Sequence, residues 1–319
     1  MGIIEFAKKR TLPLAMVTGI AAYLIYDSIP ALAPAGPYLD KAVGLIQPVL
    51  IFIMLFLSFC RISPRELRPR KWHLKALLFQ CGIFAGLAAI LAVLPHFEER
   101  VLVESAMLCI ICPTATAAAV VTGKLGGDMS GITTYTVLIN IAAGILVPVM
   151  IPLIHPVEGL SFFTAFSMIM AKVFPMLICP CLFAWLVRYL MPRFHRRLMQ
   201  SGNLAFYIWG VSLSIAIAVT TRSVIHNSTS FLLEAGIAAV SLACCALQFR
   251  SGKLIGRKYN ASTTAGQALG QKNTVFAIWM GYTFMTPVTS VAGGFYCLWH
   301  NIYNSWQLER KEKCGENPS

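Results

Sequence analysis

The polar residues best suited to chemistry lie in the middle of apolar stretches of the chain. The most polar of these runs covers residues 266–274 and contains two glutamines, a lysine and an asparagine. A lysine at the centre of a membrane helix costs about 2.5–3.5 kcal/mol, so this run should line a cavity instead of facing lipid. We predict that Gln271, Lys272, Asn273 and Thr274 bind the substrate.

A second interruption lies in an earlier apolar stretch, in the run Cys112-Pro113-Thr114-Ala115-Thr116. A proline inside a helix removes one backbone hydrogen bond and clashes with an earlier carbonyl, at a cost of about 3 kcal/mol. The helix should therefore break at Pro113. Thr114 and Thr116 are placed to satisfy the freed backbone groups, and we predict that both belong to the same substrate site.

The composition indicates what positions these runs. Hydrophobic residues make up 57% of the 319 positions and charged residues only 12%, well below the charged content of soluble domains. The apolar stretches are about 20 residues long, which is enough to span a bilayer. We expect an all-α membrane protein with ten transmembrane helices, near residues 11–28, 38–60, 74–95, 101–122, 130–153, 161–190, 203–221, 231–249, 262–285 and 288–307.

The basic residues indicate the orientation, because lysine and arginine are concentrated in short cytoplasmic loops. Ten helices with the first residues inside place most of the 26 lysines and arginines on the cytoplasmic side. The exceptions are Lys41, Arg100 and Arg222 in outer loops, and Lys172 and Lys272 within helices. We predict cytoplasmic N- and C-termini in a bacterial inner membrane. This placement also explains the net charge of +13, so no nucleic-acid partner is expected.

The two interruptions occupy matching places, in the fourth helix of each group of five. Many transporters consist of two halves with inverted topology, and their substrate lies where corresponding helices are broken. We therefore divide the chain into a first five-helix repeat (1–153), a second inverted repeat (154–308) and a cytoplasmic tail (309–319). Lys272 has no acidic partner at the same predicted depth, and the N-termini of half-helices carry partial positive charge. Both features favour a small anionic substrate.

The sequence around the two breaks resembles a known family. The run from Cys112 to Ala117, followed by residues 120–122 and 125–128, is similar to the fourth helix of the bile acid:sodium symporter family. Gln267, Gln271 and Asn273 resemble its ninth helix. The resemblance implies a panel domain of helices 1, 2, 6 and 7 and a core domain of helices 3–5 and 8–10, in which helices 4 and 9 cross. It implies transport of bile-acid-like or other carboxylates by alternating access.

The chain departs from this family at the sodium sites that the resemblance implies. One family site uses a serine and an asparagine in helix 4, hydroxyls in helix 5 and a glutamate in helix 9. The matching positions here are Ala118, Ala119, Ile132, Thr136 and Gln267. The second family site uses glutamines from helices 3 and 9, and the candidates here are Gln80, Gln267 and Gln271. The residues retained from both degraded sites are therefore Gln80, Thr136, Gln267 and Gln271. We expect transport that depends weakly or not at all on sodium, with a proton as the other candidate coupling ion and no cofactor.

Other functions are less consistent with the sequence. Cys109 and Cys112 lie one turn apart, and thiolates bind soft metals or arsenite, so export of arsenite or another inorganic oxyanion is an alternative. An ion channel or a membrane sensor is an alternative of another class. No Ser/His pair, paired aspartates or zinc-binding histidine motif occurs in the predicted helices, and we therefore predict that the chain is not an enzyme. The sequence leaves the oligomeric state open.

Overall fold

The computed structural model describes residues 11–200, 204–226 and 230–315, and the regular elements of this part of the chain are all helices, without a β-strand. Three short 3-10 turns, Pro30–Ala35, Pro64–Glu66 and Pro287–Thr289, join some of the helices. The α-helices are α1 (Thr11–Ser28), α2 (Gly36–Cys60), α3 (Lys71–Val93), α4 (Arg100–Ile111), α5 (Ala118–Lys124), α6 (Met129–Ile154), α7 (Phe162–Leu190), α8 (Pro192–Gln200), α9 (Leu204–His226), α10 (Phe231–Arg257), α11 (Ser262–Gly270), α12 (Thr274–Phe284) and α13 (Ser290–Gly315).

Six helical segments of the described chain are long and apolar enough to cross a membrane. They are Pro30–Cys60, Lys71–Val93, Met129–Ile154, Phe162–Leu190, Tyr207–His226 and Phe231–Arg257. Two of the four other predicted spans are each divided into two helices, α4 with α5 and α11 with α12. Each half is too short to cross the hydrocarbon core alone. The count of ten crossings therefore stays a prediction.

Local sequence explains several helix boundaries. Asp128, Ser161 and Ser230 precede α6, α7 and α10, and each side chain accepts a hydrogen bond from a backbone N–H in the first turn. Such caps satisfy donors that have no partner within the helix. The prediction ended the eighth helix at residue 249, whereas α10 continues to Arg257. That extension is basic and polar, and a hydropathy pattern detects only the apolar part of a helix.

The segment after α7 was predicted as a loop, and this prediction was wrong. Residues 192–200 form the short amphipathic helix α8. His195 binds the carbonyl oxygen of Cys60 at 2.7 Å, while Leu198 and Met199 pack against the main hydrophobic core. The helix was missed because it carries three arginines in nine residues and depends on contacts with the end of α2.

The first half of the second broken helix lies unusually close to α10. A Cβ atom at Gly252 would overlap the backbone of Ala265, and one at Gly256 would overlap the backbone of Ala261. Only glycine allows the two helices to approach this closely. This contact fixes α11 along its length and thereby sets the position of the break that follows it.

Candidate functional site

The two predicted helix breaks are present, and their backbones pair directly. Residues 112–117 separate α4 from α5, and residues 271–273 separate α11 from α12. The N–H of Ala115 donates to the carbonyl of Gln271 at 2.8 Å, and the N–H of Asn273 donates to that of Pro113 at 2.9 Å. These bonds form an isolated antiparallel bridge, which satisfies backbone groups that the breaks remove from the helical pattern.

Side chains from two other helices complete the hydrogen bonding at the end of α4. The amide nitrogen of Gln248 donates to the carbonyl of Cys109 at 3.2 Å. That of Gln80 donates to the carbonyls of Ile111 and Cys112 at 3.3 and 3.2 Å. The last carbonyls of a helix have no intrahelical donor, and at membrane depth there is little water to replace it. These two glutamines therefore stabilise the end of the half-helix.

Lys272 provides the remaining donor at this helix end. Its side chain is only 1% exposed, and its ammonium group donates to the carbonyl of Ile110 at 3.2 Å. No carboxylate of the described residues forms an ion pair with it. The C-terminal end of a helix carries partial negative charge, so the α4 terminus partly compensates the ammonium. Lys272 thus lies inside the protein and does not extend to the aqueous interface.

The other predicted substrate residues have different surroundings. The hydroxyl of Thr114 is already engaged, since it donates to the carbonyl of Ala268 at 2.8 Å, whereas Thr116 is half-buried. The side-chain oxygen of Asn273 caps α12 by accepting from the N–H of Phe276 at 3.3 Å. Its amide nitrogen is buried without a hydrogen-bond partner. Asn273 therefore has an uncommitted donor at the break.

Gln271 and Thr274 complete the predicted set. Both are buried, Gln271 in the second break and Thr274 at the first position of α12. The side-chain oxygen of Gln271 is buried and has no hydrogen-bond partner. Because Thr114 and Lys272 face each other in the backbone bridge, all six predicted residues lie on or directly beside the paired segments 113–115 and 271–273.

The residues retained from the implied sodium sites form hydrogen bonds with different partners. The amide nitrogen of Gln267 donates to Asn304 of α13 at 2.9 Å, and the hydroxyl of Thr136 donates within its own helix. The oxygen of Gln80 accepts from the hydroxyl of Tyr135 at 2.8 Å. Two of the positions that match the implied sodium ligands, Ala118 and Ile132, lie in a compact apolar cluster that also contains Ala268. The side-chain oxygens of Gln267 and Gln271 are buried without a hydrogen-bond partner, so this set offers a cation two free amide oxygens but no carboxylate.

The sequence analysis missed two residues that support the second break. Tyr296 donates to the carbonyl of Gly270 at 2.9 Å, and Gln248 donates to the Tyr296 hydroxyl at 3.0 Å. Gln248 was placed at the inner end of the eighth helix, and no special role was expected for Tyr296. A buried amide and a buried phenol in apolar helices are a usable signal, because such groups need partners when they are removed from water.

The two cysteines considered for soft-metal binding donate to separate carbonyls. The Cys112 thiol binds the carbonyl of Asn273 at 2.8 Å, and the Cys109 thiol approaches that of Ala292 at 3.9 Å. No group of three or more metal-binding side chains occurs among the described residues. The geometry of these thiols is that of core residues, as is common for cysteine.

A buried carboxylate joins three segments at the far end of α4. Glu104 is fully buried and accepts from the side chain of Arg100 at 2.7 Å and from the N–H of Thr286 at 3.0 Å. His155, at the end of α6, lies 3.1 Å from the same carboxylate. Two of these partners, His155 and Thr286, are far from Glu104 in the chain and could not be read from the sequence.

Comparison with known proteins gives one match. The model of the sodium bile acid symporter family matches residues 46–228, which is more than half of the chain. The matched region contains the first break and ends before the second. No curated protein matches the chain.

Proposed function

Because this chain belongs to the sodium bile acid symporter family, whose members are membrane transporters, we propose that it carries a small organic anion across the membrane by alternating access. The expected substrates are carboxylates, either bile-acid-like compounds or smaller metabolites. The coupling is secondary-active or facilitative. In this proposal the helices form ten spans and two inverted five-helix repeats, with a panel and a core domain. The protein lies in a bacterial inner membrane with both termini cytoplasmic.

The observation that carries this proposal is the buried ammonium of Lys272 at the junction of two broken helices, without an ion-paired carboxylate. A positive charge in surroundings of low polarity is poorly screened and attracts an anion strongly. The N-terminal end of α12 adds a positive partial charge at the same place. A cationic substrate would be repelled there.

The proposed roles of the site residues follow from their free and occupied groups. The amide nitrogen of Asn273, which has no partner, and the half-buried hydroxyl of Thr116 donate to the anionic group of the substrate. Thr114 holds the breaks in place, because its hydroxyl already donates to a backbone carbonyl. Lys272 does both, since one of its three N–H groups binds the carbonyl of Ile110 and its charge attracts the anion. Gln271 and Thr274 line the same site.

We further propose that sodium is not the main coupling ion. Lys272 supplies part of the positive charge that a bound sodium ion would provide, and the set of Gln80, Thr136, Gln267 and Gln271 lacks a carboxylate. A buried lysine can also release its proton, because desolvation penalises its charged form. Proton coupling through Lys272 is therefore the variant of this proposal that includes a driving ion.

Binding to the folded protein provides the direct test. Purified protein is heated with a panel of carboxylates, taurocholate and arsenite, each with and without sodium. A ligand at 100 times its dissociation constant stabilises the folded state by about 2.7 kcal/mol. We expect a carboxylate to raise the melting temperature equally with and without sodium. Stabilisation by arsenite alone, or by carboxylates only with sodium, would contradict the proposal.

The variant Asn273→Asp sharpens this test. Aspartate keeps an oxygen that can cap α12. It replaces the free amide donor with a negatively charged oxygen, which repels an anionic substrate. We expect the melting temperature without ligand to stay near the wild-type value and the stabilisation by the carboxylate to disappear. The matched control is Asn273→Ser, which also caps a helix but adds no charge, and we expect it to retain part of the binding.

A further inference from the structure

A second lysine lies within a helix of the membrane-spanning set. Lys172 is near the middle of α7, a continuous apolar helix of 29 residues. A charge at this depth is expensive in lipid, so such residues face a protein interior or a water-filled cavity. Unlike Lys272, Lys172 is exposed. Among the described residues, no carboxylate forms an ion pair with it.

The recorded contact of Lys172 connects α7 with the second broken helix. Its ammonium nitrogen lies 5.9 Å from the ring centre of Phe284, the last residue of α12. An ammonium over an aromatic face is an attractive cation–π contact. The contact does not neutralise the charge, so Lys172 keeps the capacity to bind an anion. We call this pair of residues, Lys172 and Phe284, the α7–α12 seam.

The seam is separate from the paired breaks. Phe284 lies eleven positions after the capping residue Asn273, which corresponds to about 16 Å along the helix axis at the usual rise. Lys172 is also on the edge of the buried face of α7, because Ile169, Val173 and Met176 are buried while Lys172 itself is exposed. It is therefore positioned where α7 meets its neighbours and not in the centre of their contact.

We propose that the α7–α12 seam is a second anion-binding station, at which Lys172 pairs with a carboxylate or sulfonate while the ring of Phe284 contacts the apolar part of the same molecule. The seam receives the transported anion at the end of α12 away from the breaks. This role rests on the proposed transport function. The local claim, that an anion reaches Lys172 from water, does not depend on it.

The local claim is tested by cysteine labelling of full-length protein in phosphatidylcholine liposomes. Met168 is exposed and lies one turn before Lys172 on the same side of α7, so Met168→Cys places a thiol beside the ammonium. Negatively and positively charged methanethiosulfonates are applied, and the rate of the parent without the added cysteine is subtracted. We expect the anionic reagent to react at least five times faster, relative to the cationic one, with Lys172 present than with Lys172→Met.

The matched control is Phe163→Cys, an exposed position nine residues before Lys172 on α7. That position is about 13 Å away along the axis, beyond the screening length at 0.15 M salt, so its rate ratio should not change in Lys172→Met. An unreactive Met168→Cys, or the same ratio with and without Lys172, would overturn the proposal. Protection of Met168→Cys by anionic phosphatidylglycerol but not by taurocholate would identify a lipid site and would also overturn it.

Uptake of taurocholate into proteoliposomes tests the link to transport. We expect Lys172→Met to raise the half-saturating concentration at least tenfold, Lys172→Arg to restore most of the affinity, and both variants to keep the wild-type melting temperature. An unchanged half-saturating concentration in Lys172→Met would overturn the role in transport. If the wild-type protein transports no anion in the panel, the proposed function fails, while the labelling result still decides whether anions reach Lys172.

Discussion

The two intramembrane lysines differ in what their ammonium groups contact. Lys272 is buried and donates to a helix-terminal carbonyl, whereas Lys172 is exposed and lies against an aromatic ring. At the residue scale, we therefore propose a different role for each lysine. Lys272 holds the broken helix, and Lys172 binds anions that reach it from water. The first role leads to a prediction about stability as well as binding.

Replacing Lys272 with methionine keeps the length of the side chain and removes its charge and donors. The carbonyl of Ile110 then lacks its partner, and an unsatisfied buried acceptor costs about 1–3 kcal/mol. We expect a lower melting temperature with a folded protein retained, and loss of carboxylate binding in the thermal assay. The matched control is Lys253→Met, which also removes an ammonium group, but one that donates to the hydroxyl of Tyr303 and not to the carbonyl at the end of α4. Sodium-dependent binding that is unchanged in Lys272→Met would refute the proposal that Lys272 supplies part of the charge of a bound sodium ion.

Glu104 is the residue with the clearest stabilising role. In Glu104→Gln, the mostly buried Arg100 and the neighbouring His155 lose their anionic partner. Removing one member of a buried ion pair typically costs about 3–5 kcal/mol, and we expect a large fall in the melting temperature. Glu309→Gln removes an exposed pair with Lys313 and should leave the melting temperature unchanged. Equal melting temperatures of the two variants would contradict this role.

At the scale of elements, the breaks depend on the helices that surround them. The end of α4 is completed by side chains from α3 and α10, and the end of α11 by Tyr296 of α13. A helix interrupted at membrane depth is stable only when other elements supply the missing hydrogen bonds. The close contact between α10 and α11 is the part of this arrangement most sensitive to side-chain size.

The change Gly252→Ala adds one methyl group to this contact. Because a Cβ there would overlap the backbone of Ala265, α11 must move away from α10, and overpacking of this kind typically costs about 1–3 kcal/mol. We expect lower thermal stability and weaker carboxylate binding. In the control Gly86→Ala, no heavy atom lies within 4 Å of the new Cβ, so stability should be equal or slightly higher. Full binding by Gly252→Ala would show that the α11 position is unimportant.

At the scale of the whole molecule, the distribution of charge predicts the orientation in the membrane. Basic residues are concentrated after the end of α2, at the start of α3, and around the C-terminal ends of α7 and α10. Lysine and arginine in short loops favour the cytoplasmic side. The amphipathic α8 adds three arginines to the same set. Orientation is testable without knowledge of the substrate.

The loop between α6 and α7 contains the exposed Glu158 and should lie outside. In intact cells, a membrane-impermeant thiol reagent should label Glu158→Cys directly. Lys124→Cys, in an exposed position at the end of α5, should react only after the membrane is opened. Labelling of Glu158→Cys exclusively from the cytoplasmic side would show that the ten-span arrangement is wrong.

The sequence by itself determined features that depend on neighbouring residues. Apolar length predicted most helices, and Pro113 interrupts a helix because it lacks a donor. The second break was predicted because a polar run at 266–274 is incompatible with lipid. These effects act over a few residues, so a single sequence contains enough information to place them.

Only the tertiary structure decided how the polar groups are used. Lys272 binds the carbonyl of Ile110, 162 positions earlier, and Glu104 binds the N–H of Thr286, 182 positions later. Lys272, which was predicted to contact the substrate, also completes a helix end. The composition of the polar run permits either role, because an ammonium binds a substrate anion and a backbone carbonyl with the same donors. Packing alone determines which acceptor lies within reach.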